Sequence, residues 1–190
     1  MTHLEIEAKF KVDDLESLRK RLSDLGLNSS GEVFYENIVF DYPDRRFREK
    51  HIILRLRKKG DKSILTYKEP ADKESKLKIR KETEIEVENF ENMKHVINKL
   101  GLIDSFIYDK KREKFKGKGF VIEIDKNPFI GTYCEIEADT EEIFFDVMKR
   151  LEFEEKQIIK KNYRELFEKY CEEKGINEKN MTFEEEKKCM

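Results

Sequence analysis

His3-Leu4-Glu5-Ile6-Glu7-Ala8-Lys9-Phe10-Lys11 alternates without a break: Leu4, Ile6, Ala8 and Phe10 fall between His3, Glu5, Glu7, Lys9 and Lys11. A period of two with one apolar side is the pattern of a half-buried β-strand. The opposite face carries two carboxylates and then two cations, spaced about 7 Å apart along one line. Oxygen ligands beside a cation suit a hard metal ion that is itself bound to an anion. A solvated outer face would produce the same alternation, so the later strands must decide.

Those strands repeat the pattern. Val33–Asp41, Ile52–Lys58, Ser63–Lys68, Leu77–Glu88, Ile103–Phe115, Phe120–Asp125 and Thr132–Ala138 all read as extended segments. Lys59-Gly60-Asp61-Lys62 is a hairpin turn, and Arg45–Lys50 and Glu69–Lys76 are polar connectors. Helical spacing appears after the first strand (Leu15, Leu18, Leu22, Leu25), from Asn89 to Gly101, from Thr140 to Leu151 and over Tyr163–Lys174. Leu25-Gly26-Leu27 and Leu100-Gly101-Leu102 echo each other, which suggests either two related halves or two similar helix ends. The residues after Gly175 read as a loosely held tail.

The signs on the charged faces are segregated. Acidic faces occur at Glu5/Glu7, Glu82/Glu84/Glu86, Glu123/Asp125 and Glu135/Glu137; basic faces occur at Arg55/Arg57, Lys78/Arg80 and Lys110/Arg112/Lys114. If helices cover the apolar sides, the eight strands close into an antiparallel barrel whose charges point inward. The expected class is therefore α+β: an eight-stranded barrel forming a tunnel, with helices packed outside. A charged interior is costly unless ions and opposite charges fill it. A polyanion with a divalent metal satisfies both signs, because arginine forks fit phosphate oxygens and paired carboxylates hold the metal.

Composition excludes several alternatives. In 190 residues 43% are charged, yet Lys+Arg 40 against Asp+Glu 42 leaves a formal net charge of −2, so a general nucleic-acid coat is not expected. Cys134, Cys171 and Cys189 are too few and too scattered for a disulfide framework or a zinc knuckle, which points to a reducing cytoplasm. No apolar run approaches the ~18 residues of a membrane span, and charges begin at Glu5, unlike a signal peptide. Cys134 alternates with Glu135 and so belongs to the apolar side; His3, His51 and His95 fall outside the charged motifs.

Glu5-x-Glu7-x-Lys9 resembles the N-terminal signature of the CYTH superfamily, the triphosphate tunnel metalloenzymes, which includes class IV adenylate cyclases, thiamine triphosphatases and inorganic triphosphatases. Later motifs follow in the family's order: Asn37-Ile38-Val39-Phe40-Asp41, Leu54-Arg55-Leu56-Arg57, Leu65-Thr66-Tyr67-Lys68 and Arg80-x-Glu82-x-Glu84. Lys110-x-Arg112, Asp125, Gly131, Glu135-x-Glu137 and Lys161-Asn162-Tyr163 complete the series, with Asn162 where the family usually has Ser. The resemblance spans about residues 3 to 167, giving an expected tunnel domain over 1–170 and a helix end and tail over 171–190.

The resemblance implies that Glu5, Glu7, Glu135 and Glu137, assisted by Asp125, ligate Mg²⁺ or Mn²⁺. It implies that Lys9, Arg55, Arg57, Lys68, Arg80, Lys110, Arg112 and Lys161 contact the triphosphate, with Glu5, Glu7, Lys9 and Lys161 closest to the chemistry. The expected substrate is a triphosphate-containing small molecule: tripolyphosphate, thiamine triphosphate or ATP. Hydrolysis of the terminal phosphate is favoured, because the cage alone suffices for it. The alternatives are a class IV adenylate cyclase, making cyclic AMP and pyrophosphate, and a non-catalytic module for polyphosphate or RNA ends. A homodimer is compatible with the sequence, which does not specify the oligomeric state.

Overall fold

The structure, a computed structural model, describes residues 2–70 and 75–189. Of the expected Glu69–Lys76 connector, residues 71–74 lie outside that set. Eight strands form a closed antiparallel barrel: β1 (Thr2–Lys11), β2 (Ser29–Asp41), β3 (Ile53–Lys59), β4 (Lys62–Lys68), β5 (Lys78–Val87), β6 (Ile103–Gly117), β7 (Phe120–Asn127) and β8 (Gly131–Ala138). Their order around the barrel is β1-β5-β4-β3-β2-β6-β7-β8. Closure happens at β1, which pairs on one edge with β5 (Glu5 opposite Arg80, Glu7 opposite Lys78) and on the other with β8 (Glu7 opposite Glu137, Lys9 opposite Glu135). Closure pairs the strands all the way round, and strict alternation sends every second side chain to the lumen.

Two of the three apolar clusters therefore lie outside the barrel, between strands and helices, and the third, around α5, reaches the lumen. Phe10, Ile122 and Ile136 pack against Leu18 and Leu22 of α1 (Leu15–Asp24) and against Phe144, Val147 and Met148 of α4 (Glu141–Arg150). Ile38, Phe40 and Leu56 pack against Ile97 of α3 (Phe90–Lys99). Phe106, Tyr108 and Tyr133 pack against Tyr163 and Phe167 of α5 (Tyr163–Lys174). Each of these helices starts on a side-chain cap: Asp14 accepts from the Ser17 N–H, Asn89 from Asn92, Thr140 from Ile143 and Asn162 from Glu165. Asn162, the departure from the family pattern, thus performs the capping task, and Glu165 returns a bond to its backbone. The Leu-Gly-Leu echo belongs to two helix ends in which Gly26 (φ 69°) and Gly101 (φ 90°) take the left-handed conformation.

Three segments differ from the sequence expectation. β2 begins at Ser29 rather than Val33, because the long β6 gives it a partner as far as Phe115, across an irregularity between Ser29 and Glu32. The connector at Arg45–Lys50 contains a one-turn helix, α2 (Arg46–Glu49). Asp41 nucleates it, accepting from the N–H groups of Tyr42 (2.7 Å), Phe47 (2.9 Å) and Arg48 (3.0 Å).

The third difference corrects the loose tail. β7 pairs with β6 only from Lys111 onward, so the first half of β6 keeps an open edge. The chain returns to fill it: Met181 donates to the Ile107 carbonyl and accepts from the Asp109 N–H, both at 2.9 Å. Asn180 accepts from the Ile107 N–H at 3.1 Å, and Glu186 of α6 (Phe183–Cys189) accepts from Phe129 N–H at 2.6 Å. The Met181 side chain is fully buried. Sequence periodicity misses this strap because one bridge and one buried methionine leave no repeating pattern. Among the described residues, no helix is long and apolar enough to cross a membrane.

Truncating Met181 removes buried apolar contact and leaves a cavity, so Met181→Ala lowers stability by about 2–5 kcal/mol in urea unfolding. Leu100→Ala, at a side chain 69% exposed, changes stability by no more than about 0.5 kcal/mol.

Candidate functional site

A cavity of about 730 Å³ runs inside the barrel, within the usual size range of small-molecule sites. Most of the residues expected from the sequence line it. On the cationic side these are Lys9, Arg55, Arg57, Lys68, Arg80, Lys110 and Arg112; on the anionic side, Glu5, Glu7, Glu135 and Glu137. Two expected residues do not line it. Lys161 is exposed; its neighbour Lys160, also exposed and donating to the Ser75 carbonyl, stands at the cavity's margin. Asp125 is fully buried behind the wall.

Asp125 is the anchor of that wall. Its carboxylate accepts from Lys110 Nζ at 2.8 Å, from the Tyr163 hydroxyl at 2.9 Å and from the Arg112 guanidinium. Burial pushes the carboxyl up, but Arg112 and Lys110 outweigh it and hold the group below the usual carboxylate range. With its oxygens taken, Asp125 aims two cations into the tunnel rather than facing a ligand itself. Tyr163 was not singled out by charge pattern, and its contribution comes from the apolar stripe of α5.

Lysines bridge most of the lumen carboxylates. Lys68 links Glu5, at 3.0 Å, to Glu82; Lys78 pairs with Glu7 at 3.4 Å; Lys9 pairs with Glu135 at 3.4 Å. Arg112 joins Glu123, Asp125 and Glu135. Burial would raise Glu135, yet Lys9 and Arg112 keep it well below the ordinary carboxylate range. Glu84 accepts from the Thr66 hydroxyl at 2.9 Å.

The arginines are different. Among the described residues, no carboxylate comes within ion-pair distance of Arg55, Arg57 or Arg80, although all three are buried. The Nε atoms of Arg55 and Arg80 lack any hydrogen-bond partner. Arg57 Nε donates to Asn37 Oδ1 at 2.9 Å, a neutral acceptor, and Asn37 in turn donates to the Tyr108 carbonyl at 3.1 Å. Buried guanidinium groups that face a cavity without a direct carboxylate partner keep donors open to an anion.

At the other extreme, carboxylates crowd together. Burial, followed by the charges of Glu5, Glu123 and Glu7, pushes Glu137 up to about 7. Glu5 is also raised, chiefly by burial and against the pull of Lys68. All these donors are hard oxygens, the type that Mg²⁺ or Mn²⁺ takes. Among the described residues, no three acidic, histidine or cysteine side chains converge closely enough to share one ion in this conformation. The lysine bridges explain why: Glu5, Glu7 and Glu135 are each turned toward an ammonium group.

The protein is thus a closed barrel whose lumen is lined by buried side chains of both charges. The CYTH domain model matches residues 3–182, and the chain belongs to the CYTH domain family. It is 32% identical over 173 residues, 86% of this chain and 98% of the relative, to a Methanocaldococcus jannaschii protein named "Putative adenylate cyclase". A solved structure from Pyrococcus horikoshii is 29% identical with a TM-score of 0.74, covering 85% of this chain and 98% of that one. A Hippeastrum protein, described as a "putative adenylyl cyclase" with a dominant triphosphatase activity, shares the fold at 19% identity. Its TM-score is 0.54, over 93% of this chain and 89% of that one.

The raised Glu137 carboxyl fixes a pH dependence. Because its folded value, about 7, lies above the 4.5 of an ordinary glutamate, the folded state binds the extra proton between those limits. Metal-free protein therefore loses stability as pH rises from about 4.5 through 7 on this group's account, and Glu137→Gln reduces that loss. Thermal melting in chelator at a series of pH values reads the difference between the two curves.

Proposed function

We propose that this protein is a metal-dependent enzyme that holds a triphosphate in its tunnel and hydrolyses the terminal phosphate. The observation that carries the reading is the set of buried guanidinium groups, Arg55, Arg57 and Arg80, that no carboxylate among the described residues meets in a direct ion pair. A chain of phosphoryl groups presents oxygens along a line, which a ring of inward cations can follow around the barrel. Lys9, Lys68, Lys110 and Arg112 supply further donors once the anion competes with their carboxylate partners.

That competition also accounts for the metal. When Lys9 and Lys68 turn toward phosphate oxygens, Glu135 and Glu5 lose their ammonium partners, and Glu137 already faces like charge. Glu5, Glu7, Glu135 and Glu137 would then hold Mg²⁺ or Mn²⁺. When bound, such an ion supplies charge neutralisation of the phosphate oxygens and lowers the pKa of water.

The cations orient the chain and offset the charge that spreads over its oxygens in the transition state. In hydrolysis, the oxygen of water bonds to the terminal phosphorus, the bridging P–O bond breaks, and orthophosphate leaves with the shortened chain. The water proton must go to a nearby base. Lys78 lines the tunnel and is brought down to about 8 by burial and by Lys9, so it can exchange a proton near neutral pH. Thiamine triphosphate, tripolyphosphate and nucleoside triphosphates all offer the same tail, and a cytoplasmic location fits each of them.

Adenylate cyclase activity is the second reading, favoured by the name of the M. jannaschii relative. The cavity also extends beyond the charged belt to Val39, Ile53 and Phe106, an apolar margin that a nucleoside could use. There the ATP 3′-hydroxyl would attack the α-phosphorus and pyrophosphate would leave. A purely binding module would have no use for four carboxylates in the wall.

Incubation with Mg²⁺ or Mn²⁺ and ATP, tripolyphosphate or thiamine triphosphate separates these readings. Orthophosphate is the expected product; cyclic AMP with pyrophosphate establishes the cyclase, and no product leaves the binding module. Arg57→Ala weakens tripolyphosphate binding roughly tenfold or more in calorimetry, as expected for a charged hydrogen-bonding partner. Glu7→Gln abolishes metal-dependent turnover while the circular dichroism spectrum stays unchanged. Full activity in Glu7→Gln would rule out its place in the metal site.

A further inference from the structure

Tyr108 stands in the lumen without a part in the charge pattern. It lies on β6 between Phe106 and Lys110, and all three line the cavity. Its ring stacks on Phe106 with centroids 5.3 Å apart. Its backbone is held from both sides, by Asn37 on β2 and by the Met181 strap on the open edge. A tyrosine fixed this firmly has a hydroxyl with a defined address.

That address is cationic. Arg55 Nη1 lies 3.5 Å from the hydroxyl, and the charges of Arg55, Lys110 and Arg57 all act on it. Its surroundings are Arg55 and Arg57 from β3, Lys110 from β6, and the neutral Asn37 from β2 and Thr66 from β4. The β5 carboxylates Glu82 and Glu84 act on Arg55, and no carboxylate among the described residues bonds the hydroxyl. We propose that Tyr108 is a further substrate-contacting residue, its hydroxyl donating a hydrogen bond to a phosphoryl oxygen of the triphosphate that Arg55, Arg57 and Lys110 collect. This rests on the triphosphate reading of the tunnel and adds to it a neutral donor among the charged ones.

A consequence follows for pH. Burial raises the phenol, but Arg55, Lys110 and Arg57 outweigh it and bring it to about 8 in the free protein. A bound polyanion offsets those cations and returns the phenol upward, toward the value of about 10 for an unperturbed tyrosine. Above pH 8, binding therefore takes up a proton at Tyr108, and affinity falls as pH rises.

The test uses the full chain, metal-free, with tripolyphosphate as the probe. Ultraviolet tyrosinate absorbance of the wild type shows one tyrosine titrating near pH 8, and tripolyphosphate moves that step to higher pH. Tyr108→Phe lacks the step, binds tripolyphosphate roughly tenfold more weakly at neutral pH, and loses the affinity fall above pH 8. If the wild type binds tripolyphosphate but its titration does not move and Tyr108→Phe binds equally well, the assignment of Tyr108 is overturned and the tunnel reading survives. If the wild type does not bind tripolyphosphate at all, both fall together. Should Tyr108→Phe fold poorly, the wild-type titration with and without tripolyphosphate still decides.

Discussion

Buried positive charge without a direct carboxylate partner inside a closed sheet is the constraint on which this structure turns. Arg55, Arg57 and Arg80 are buried on the lumen face with no carboxylate beside them among the described residues. Taking a guanidinium from water costs several kcal/mol when nothing compensates. The fold tolerates this because its stability is gathered elsewhere, chiefly in the two apolar clusters that α1, α4 and α3 make against the outer faces of the strands. The barrel wall thus separates a dry outside layer from a wet, charged inside. A mutation on one face need not disturb the other.

Within the lumen, two states of the same charges are built in. Without ligand, ammonium groups neutralise carboxylates: Lys9 with Glu135, Lys68 with Glu5 and Glu82, Lys78 with Glu7. With a polyanion and a cation together, each lysine and each glutamate would change partner, with little change in total charge. Under the proposed function, such an exchange would make metal and anion binding cooperative, because either one alone would leave the other half of the wall unpaired. Asp125 stands apart from the exchange. Capped by Lys110, Arg112 and Tyr163, it is a fixed post that holds two cations in place through both states.

Much of this architecture was legible in the sequence, for a physical reason. A strand that divides apolar core from charged lumen must alternate strictly, and eight strands doing so with segregated signs leave few ways to fold. Glu5, Glu7, Lys9, Arg55, Arg57, Arg80 and Glu135 could be placed on the lumen face from parity alone, since the pleat has a period of two. What parity could not show was depth. Asp125 shares the parity of Glu123, yet it lies behind the wall, because three donors converge on it from β6 and α5. Lys161 precedes α5, where no strand period governs direction, and it is exposed away from the cavity, at whose margin Lys160 stands. The strap through Met181 was illegible for a similar reason: a single bridge to the open half of β6 leaves no periodic trace. Tyr108 was hidden because a phenol reads as apolar in a charge pattern, and only its three cationic neighbours give it a different character.

The central claim, that the lumen is completed by a chain of three phosphoryl groups, is tested most directly by ligand-dependent thermal stability. Tm of the full chain is measured with Mg²⁺ and equal concentrations of orthophosphate, pyrophosphate or tripolyphosphate. Ligand that binds only the folded state raises Tm in proportion to the logarithm of its saturation. The account predicts a rise that grows with chain length, largest for tripolyphosphate and small for orthophosphate. Equal shifts for all three anions, or no shift with tripolyphosphate, would contradict it.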